Sequence, residues 1–158
     1  MLKKEIVELI NNQINKEYES SYLYLHIANF YSEQGLNGFA NYFHKQSKEE
    51  VEHAEKLIAY LHNENEIVAL NDIKASSFKF VDLREPLIAQ IEHEEYITNL
   101  INSLYESSLN LKDYRTMHFL AWYINEQAEE ETRSRNLLES FDCALKSNAL
   151  YALDISLK

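Results

Sequence analysis

The sequence contains little of what a sheet-based fold requires. Its 158 residues include only two glycines and one proline, too few for the many tight turns of an all-β or α/β domain. Its single cysteine, Cys143, excludes an internal disulfide and any metal module that needs four thiolates. A lone cysteine in a helical chain is usually a small apolar core residue, which we expect of Cys143. These scarcities predict an all-α protein.

Positive charge is also scarce. The chain has 15 basic and 26 acidic residues, a formal net charge of −11, which disfavours nucleic acid and anionic membranes as partners and favours metal cations. The longest uncharged apolar run, residues 119–124, is far shorter than a membrane span, and Glu5 and Glu8 interrupt anything like a signal sequence. We therefore expect a soluble, cytoplasmic protein forming a single domain over residues 1–158.

Breaks in helical periodicity divide the chain into five predicted helices. Gly35 and Gly38 separate the first two helices, and residues 63–80 lose helical periodicity over a long stretch. The predicted helices span about 3–33, 38–63, 83–110, 114–144 and 148–157. One long connection between the second and third helices, with short turns elsewhere, predicts a four-helix bundle with a long crossover and a short C-terminal fifth helix.

Polar residues at the predicted helix ends support these boundaries. Asp82 and Glu85 form a capping box for the third helix, with Pro86 in its first turn, where a missing N–H costs little. Asp113 caps the fourth helix, and Asn148 is expected in the left-handed conformation before the fifth. An inward-facing stripe is predicted on the fifth helix from Leu150, Leu153 and Leu157.

Each of the four long helices carries one glutamate in the middle of an otherwise apolar stripe, read in steps of three or four residues. The four are Glu17, Glu50, Glu94 and Glu130. Helices packed side by side bring them to one height inside the bundle. Four unpaired carboxylates would be very costly there. Because no lysine or arginine lies on the stripes at this height, two divalent cations are expected to neutralise them.

The alternative for any single glutamate is a solvated residue on a misread helix face. Four glutamates on four apolar stripes, all at matching heights, are not readily explained as four misread faces, and they favour the metal site. His53, three residues after Glu50 and on the same face, adds one imidazole. Carboxylates are hard oxygen donors, whereas a structural zinc site would require a closed set of cysteines and histidines.

Four segments resemble the signature segments of the bacterial non-haem ferritin family. They are residues 17–24 (EYESSYLY), 49–54 (EEVEHA), 92–94 (EHE) and 122–131 (WYINEQAEEE). The similarity covers essentially the whole chain. It implies a ferroxidase that oxidises Fe(II) with O2 or hydrogen peroxide and stores Fe(III) as hydrated oxide. It also implies a hollow homo-oligomeric shell of 24 subunits.

The resemblance implies a dinuclear iron centre within each subunit. Glu17, Glu50 and His53 hold the first iron, and Glu50 bridges to the second. Glu94 and Glu130 complete the second position. By the same resemblance, two irons bind per subunit, with a third, looser position beside them.

The resemblance implies further roles near the irons. Gln127 lies beside them, and Tyr24 donates a hydrogen bond or an electron, with Trp122 assisting in the same way. The third iron position uses Glu49, Glu126, Glu129 and Glu130. Two alternatives stay open: Glu49 and Glu126 as solvated surface acids, and the two aromatic side chains as core packing.

Neighbouring families provide the remaining alternatives. A haem-binding relative would carry a second Glu-x-x-His on the fourth helix, where this chain has Gln127 and Glu130, and a haem-ligating methionine on the second helix, whereas the only methionines are Met1 and Met117. We therefore expect no haem. A peroxide-protective mini-ferritin would leave Glu94 and Glu130 without a purpose. A catalytically weak structural subunit would be expected to replace the ligand set, which is intact.

Overall fold

The structure is a computed structural model that describes residues 2–75 and 77–157. Within this part of the chain the regular secondary structure is entirely helical, as predicted. The helices are α1 (Lys4–Glu33), α2 (Asn37–Asn63), α3 (Glu85–Asn110), α4 (Tyr114–Lys146) and α5 (Leu150–Ser156). Among these helices, none is both long enough and apolar enough to cross a membrane. The predicted boundaries are correct to within two residues.

Two helical hairpins and one crossover make the bundle. α1 packs along α2, α3 packs along α4, and α1 also contacts α3. The connection 64–84 follows α1 for most of its length. Its residue Ala69 bonds the side chains of Asn11 and Asn15 near the start of α1, and Leu83 accepts a bond from Tyr31 near the end. The crossover therefore returns the chain to the other end of the bundle, as the sequence predicted.

The predicted signals before α4 and α5 form as expected, but the predicted capping box of α3 does not cap the helix, whose N-cap residue is Arg84 without a side-chain capping bond. The Asp113 side chain accepts a hydrogen bond from the Thr116 amide at the start of α4, and Asn148 has a φ of 53° before α5. Asp82 and Glu85 exchange side-chain bonds with each other's backbone amides at 3.0 and 3.4 Å. The helix itself begins at Glu85, so this capping pair sits in the turn that leads into α3.

The apolar core consists of two clusters, one toward each end of the bundle. The first, here called the α1-start cluster, contains Ile6, Ile10, Ile14, Leu57, Leu61, Ile101, Leu120 and neighbours. The second, called the α1-end cluster, contains Tyr24, Ile27, Tyr31, Phe39, Phe43, Phe141 and neighbours. The sequence positions of their members leave the middle of each long helix between the two clusters, which is where the four inward glutamates lie.

The short α5 docks on the beginning of α2. Asp154 is buried, and its carboxylate accepts a hydrogen bond from the Phe39 amide at 2.9 Å. Gly38 makes this approach possible, since a Cβ there would lie 1.6 Å from the Asp154 carbonyl oxygen. The predicted inward stripe of α5 packs against the α1-end cluster through Leu150, Leu153 and Leu157.

The expectation for Cys143 is wrong. Its thiol lies on the outer face of α4 and is exposed, whereas its neighbours Phe141 and Ala144 are buried. The reason is helical phase: the stripe of α4 passes through residues 137, 141 and 144, and position 143 falls outside it.

Candidate metal centre

The four inward glutamates converge between the apolar clusters. Glu17, Glu50, Glu94 and Glu130 come from α1, α2, α3 and α4 respectively, and each is at most 3% exposed. His53, also buried, lies one turn after Glu50. Each helix contributes one acid because its stripe is apolar toward both ends and polar at the middle, as the sequence pattern predicted.

Three of these residues form the tightest group. Glu17, Glu50 and His53 each present one ligand atom, and these atoms lie within 4.8 Å of one another. The His53 Nδ1 atom is 3.2 Å from Glu50 Oε2. Carboxylate oxygens and an imidazole nitrogen at this spacing can hold a metal ion.

Glu94 is fixed from two sides. The Tyr24 hydroxyl donates a hydrogen bond to its Oε1, and Gln127 Nε2 donates to its Oε2 at 3.1 Å. Tyr24 and Gln127 are buried. Both residues predicted to lie beside the centre therefore contact one of its carboxylates.

Glu130 departs from the sequence-based picture because an arginine reaches it. Arg133 Nη1 lies 2.8 Å from Glu130 Oε1 and 3.0 Å from Glu49 Oε2. We expected no basic side chain to neutralise the acids at this height, and that expectation is wrong. Arg133 lies beside the α4 stripe rather than on it, but its long side chain folds back one turn to reach the carboxylate.

Burial and mutual repulsion raise the pKa values of the four carboxyl groups. The pKa of Glu17 and that of Glu50 lie well above their ordinary value, because of burial first and then a neighbouring glutamate. Burial also raises the pKa of Glu94, and that of Glu130 to about 7, against the opposing charge of Arg133. Protonation is one way to relieve this repulsion, and a divalent cation is the other.

Two carboxylate oxygens in the centre have no hydrogen-bond partner among the described residues. They are Glu17 Oε2 and Glu130 Oε2, both buried. The other oxygen of Glu17 accepts a bond from Gln13 at 2.8 Å, and that of Glu130 is held by Arg133. Buried acceptors without partners are costly. A metal ion supplies the partner that the protein does not, so the donor set fits cations.

The other residues predicted to lie near the irons are more exposed than the four inward glutamates. Glu126 is half-buried, with its Oε1 4.0 Å from His53 Nε2, and Glu129 is exposed. Glu49 is paired with Arg133. Trp122 is partly exposed and packs edge-on against the His53 ring at 5.4 Å.

Sequence reasoning missed three residues around the centre. Gln13 and Arg133 contact its carboxylates, and each is one helical turn from the glutamate it contacts, a spacing that was available in the sequence. Ser20 also went unnoticed; its hydroxyl lies 2.7 Å from His93 Nε2. His93 also packs edge-on against the Tyr24 ring, with the ring centroids 5.9 Å apart.

Comparison with known proteins agrees with this geometry. The ferritin-like domain family matches residues 7–144. A bacterial non-heme ferritin of Campylobacter jejuni is 38% identical over the whole chain and 95% of its own length, and one of Escherichia coli O157:H7 is 32% identical over 98% and 94%. Among solved structures, a humanized archaeal ferritin has a TM-score of 0.96 at 34% identity, covering 99% of this chain and 97% of its own. The chain belongs to the ferritin family and is of the bacterial non-haem type.

Proposed function

We propose that the buried carboxylate cluster is the ferroxidase centre through which this iron-storage protein oxidises Fe(II) to Fe(III). The observation that carries the proposal is the convergence of four buried glutamates, one from each long helix, with two oxygens left without a partner. Four ionised carboxylates, one of them paired with Arg133, leave a negative charge that divalent cations such as Fe(II) neutralise. Without such cations, the cluster destabilises the fold that contains it.

The ligand roles follow the carboxylate positions. Glu17, Glu50 and His53 hold the first iron, which the close spacing of their ligand atoms supports. Glu50 bridges to the second iron, and Glu94 and Glu130 complete its coordination. Hard oxygen donors stabilise the ferric product, and a set with only one imidazole leaves positions open for the oxidant.

The reaction balances as a two-electron process. Each Fe(II) gives up one electron, so a pair of irons reduces O2 and two protons to hydrogen peroxide, or hydrogen peroxide and two protons to two waters. The chain's own residues bind and orient the substrate ions. Tyr24 and Gln127 position Glu94 through their hydrogen bonds.

The centre operates within a larger assembly. We propose a cytoplasmic shell of 24 copies of this chain, in which Fe(III) leaves the centre and accumulates as hydrated oxide in the cavity. The formal charge of −11 per chain supports the attraction of cations to such a shell.

Stopped-flow measurement of Fe(II) oxidation tests the function. We expect wild type to oxidise about two Fe(II) per subunit in a fast phase, and Glu50→Ala/His53→Ala to slow this phase by at least ~100-fold. Glu52→Ala/His62→Ala is the matched control, because it removes the same residue types from exposed positions of α2 and should oxidise iron as wild type does.

Two outcomes would overturn the proposal. Equally slow oxidation by wild type and the centre variant would identify a catalytically weak structural subunit. A shell of 12 copies, measured by sedimentation or electron microscopy, would instead favour the mini-ferritin alternative.

A further inference from the structure

The Arg133 guanidinium occupies the outer edge of the candidate centre. It bonds Glu130 on its own helix and Glu49 on α2 through the same nitrogen, at 2.8 and 3.0 Å. The Glu130 side chain is fully buried, whereas those of Arg133 and Glu49 are about two-fifths exposed. The guanidinium therefore joins a buried carboxylate to one at the surface.

These contacts decide which oxygens are free. Arg133 holds Glu130 Oε1, and Glu130 Oε2 is the buried oxygen without a partner. One oxygen of Glu130 is thus left without a partner in the buried interior, while the other is bonded to a partly exposed guanidinium. A carboxylate held in this way offers Oε2 freely to a metal ion, whereas an ion on the outer side would have to compete with Arg133 for Oε1.

The same contacts place a permanent positive charge between two of the acids predicted to hold a third iron. A guanidinium stays protonated at any physiological pH and has no lone pair to offer a metal. A cation bound between Glu49 and Glu130 would have to displace it and would be repelled by it if it stayed nearby.

We propose that Arg133 is a positioning residue that takes the place of a third metal ion and fixes Glu130 as a ligand to the dinuclear centre alone. This inference rests on the proposed function. Arg133 limits the tightly bound metal to two ions per subunit. Glu49 serves as the second anchor of the guanidinium.

An anaerobic titration with Fe(II), monitored by isothermal titration calorimetry, tests the inference without any iron oxidation. We expect about two tightly bound ions per subunit in wild type and about three in Arg133→Gln, which removes the charge but keeps a polar side chain. Arg133→Lys retains a positive charge and should stay near two. Arg135→Gln is the matched control, because Arg135 pairs with Glu131 on the same helix and does not touch the centre.

Four outcomes decide the question. Three ions in Arg133→Gln with two in wild type, Arg133→Lys and Arg135→Gln would support the inference. Two ions in Arg133→Gln, with circular dichroism and assembly size unchanged, would overturn it and leave the proposed function standing. Three tightly bound ions in wild type would also overturn it and confirm the third position predicted from sequence. No tightly bound iron in folded wild type would overturn the proposed function and this inference together.

Discussion

The middle of the bundle and its two ends are built from the same four helices but have opposite chemistry. The ends bury isoleucines, leucines and aromatic rings in two clusters, whereas the middle buries four glutamates and a histidine. Apolar burial at the ends stabilises the fold by about 25 cal/mol per Å². Acid burial in the middle destabilises it until cations bind. The comparison teaches that the ends hold the helices in register so that the middle can bind metal.

The largest effect is expected in the α1-start cluster. Ile10 is completely buried there, and Ile10→Ala removes most of its side chain, which should lower the free energy of unfolding by about 2–5 kcal/mol. Ile10→Val is the graded control, with a loss of about 0.5–1.5 kcal/mol. Calorimetry at one protein concentration measures both. An equal loss for the two variants would contradict the dependence on cavity size.

The second effect concerns pH and the acids in the middle. Burial raises the pKa of Glu130 from 4.5 to about 7, so between these values the folded state holds a proton that the unfolded state has lost. The metal-free protein should therefore lose stability as pH rises from about 4.5 to 7, by on the order of 3 kcal/mol for this group. Melting temperatures measured across this range provide the test.

Glu130→Gln is the control for the pH effect, since it removes the titrating group and should flatten the decline. Added Fe(II) under anaerobic conditions should restore stability at pH 8, because it binds the ionised carboxylates of the folded state. Stability of the metal-free wild type that rises with pH over this interval would contradict the predicted sign.

A smaller effect is expected where α5 docks, away from the centre. Asp154→Ala removes the acceptor for the Phe39 amide and should cost about 0.5–2 kcal/mol, as the loss of a helix cap does. Asp154→Asn keeps an acceptor and is the matched control. Limited proteolysis should cut Asp154→Ala faster near α5, while its anaerobic Fe(II) stoichiometry stays that of wild type. A changed stoichiometry would show that the end and the middle are coupled.

The smallest effect is expected from an arginine pair outside both regions. Arg84 bonds Asp142 through two nitrogens at 2.8 and 3.0 Å, a geometry as good as that of Arg133, but the pair is exposed to solvent. Because water and salt screen such a pair, Arg84→Ala should leave the melting temperature and the Fe(II) stoichiometry unchanged within error. A clear change in the Fe(II) stoichiometry would mean that any lost arginine perturbs the centre, and would weaken the case for Arg133.

Much of this architecture was predictable because its signals are local. Helix ends depend on nearby residues, so Gly35, Asp113 and Asn148 marked them correctly. The inward direction of each glutamate depends only on the 3.6-residue period and the apolar stripe around it. The proposed roles of the individual ligands stay predictions, since they rest on the family resemblance together with this geometry.

The two errors had different causes: the phase of one helix for Cys143, and contacts that include a second helix for Arg133. Cys143 was expected in the core because of its residue type, but it lies outside the buried stripe of α4. The contact of Arg133 with Glu130 follows from their i, i+3 spacing within α4, but its second bond, to Glu49, depends on the packing of α2 beside α4. The periodicity of a single helix does not predict the distance between Arg133 and Glu49.

The sequence alone therefore determined the number of helices, their approximate ends and the four acids that turn inward, because each follows from residues within a few turns of one another. The tertiary structure decided which oxygens of those acids are free, which are held by Arg133, and how α5 caps α2 across more than a hundred residues of chain. Those contacts depend on the spacing of helices in three dimensions, which the ends of the bundle set for its middle.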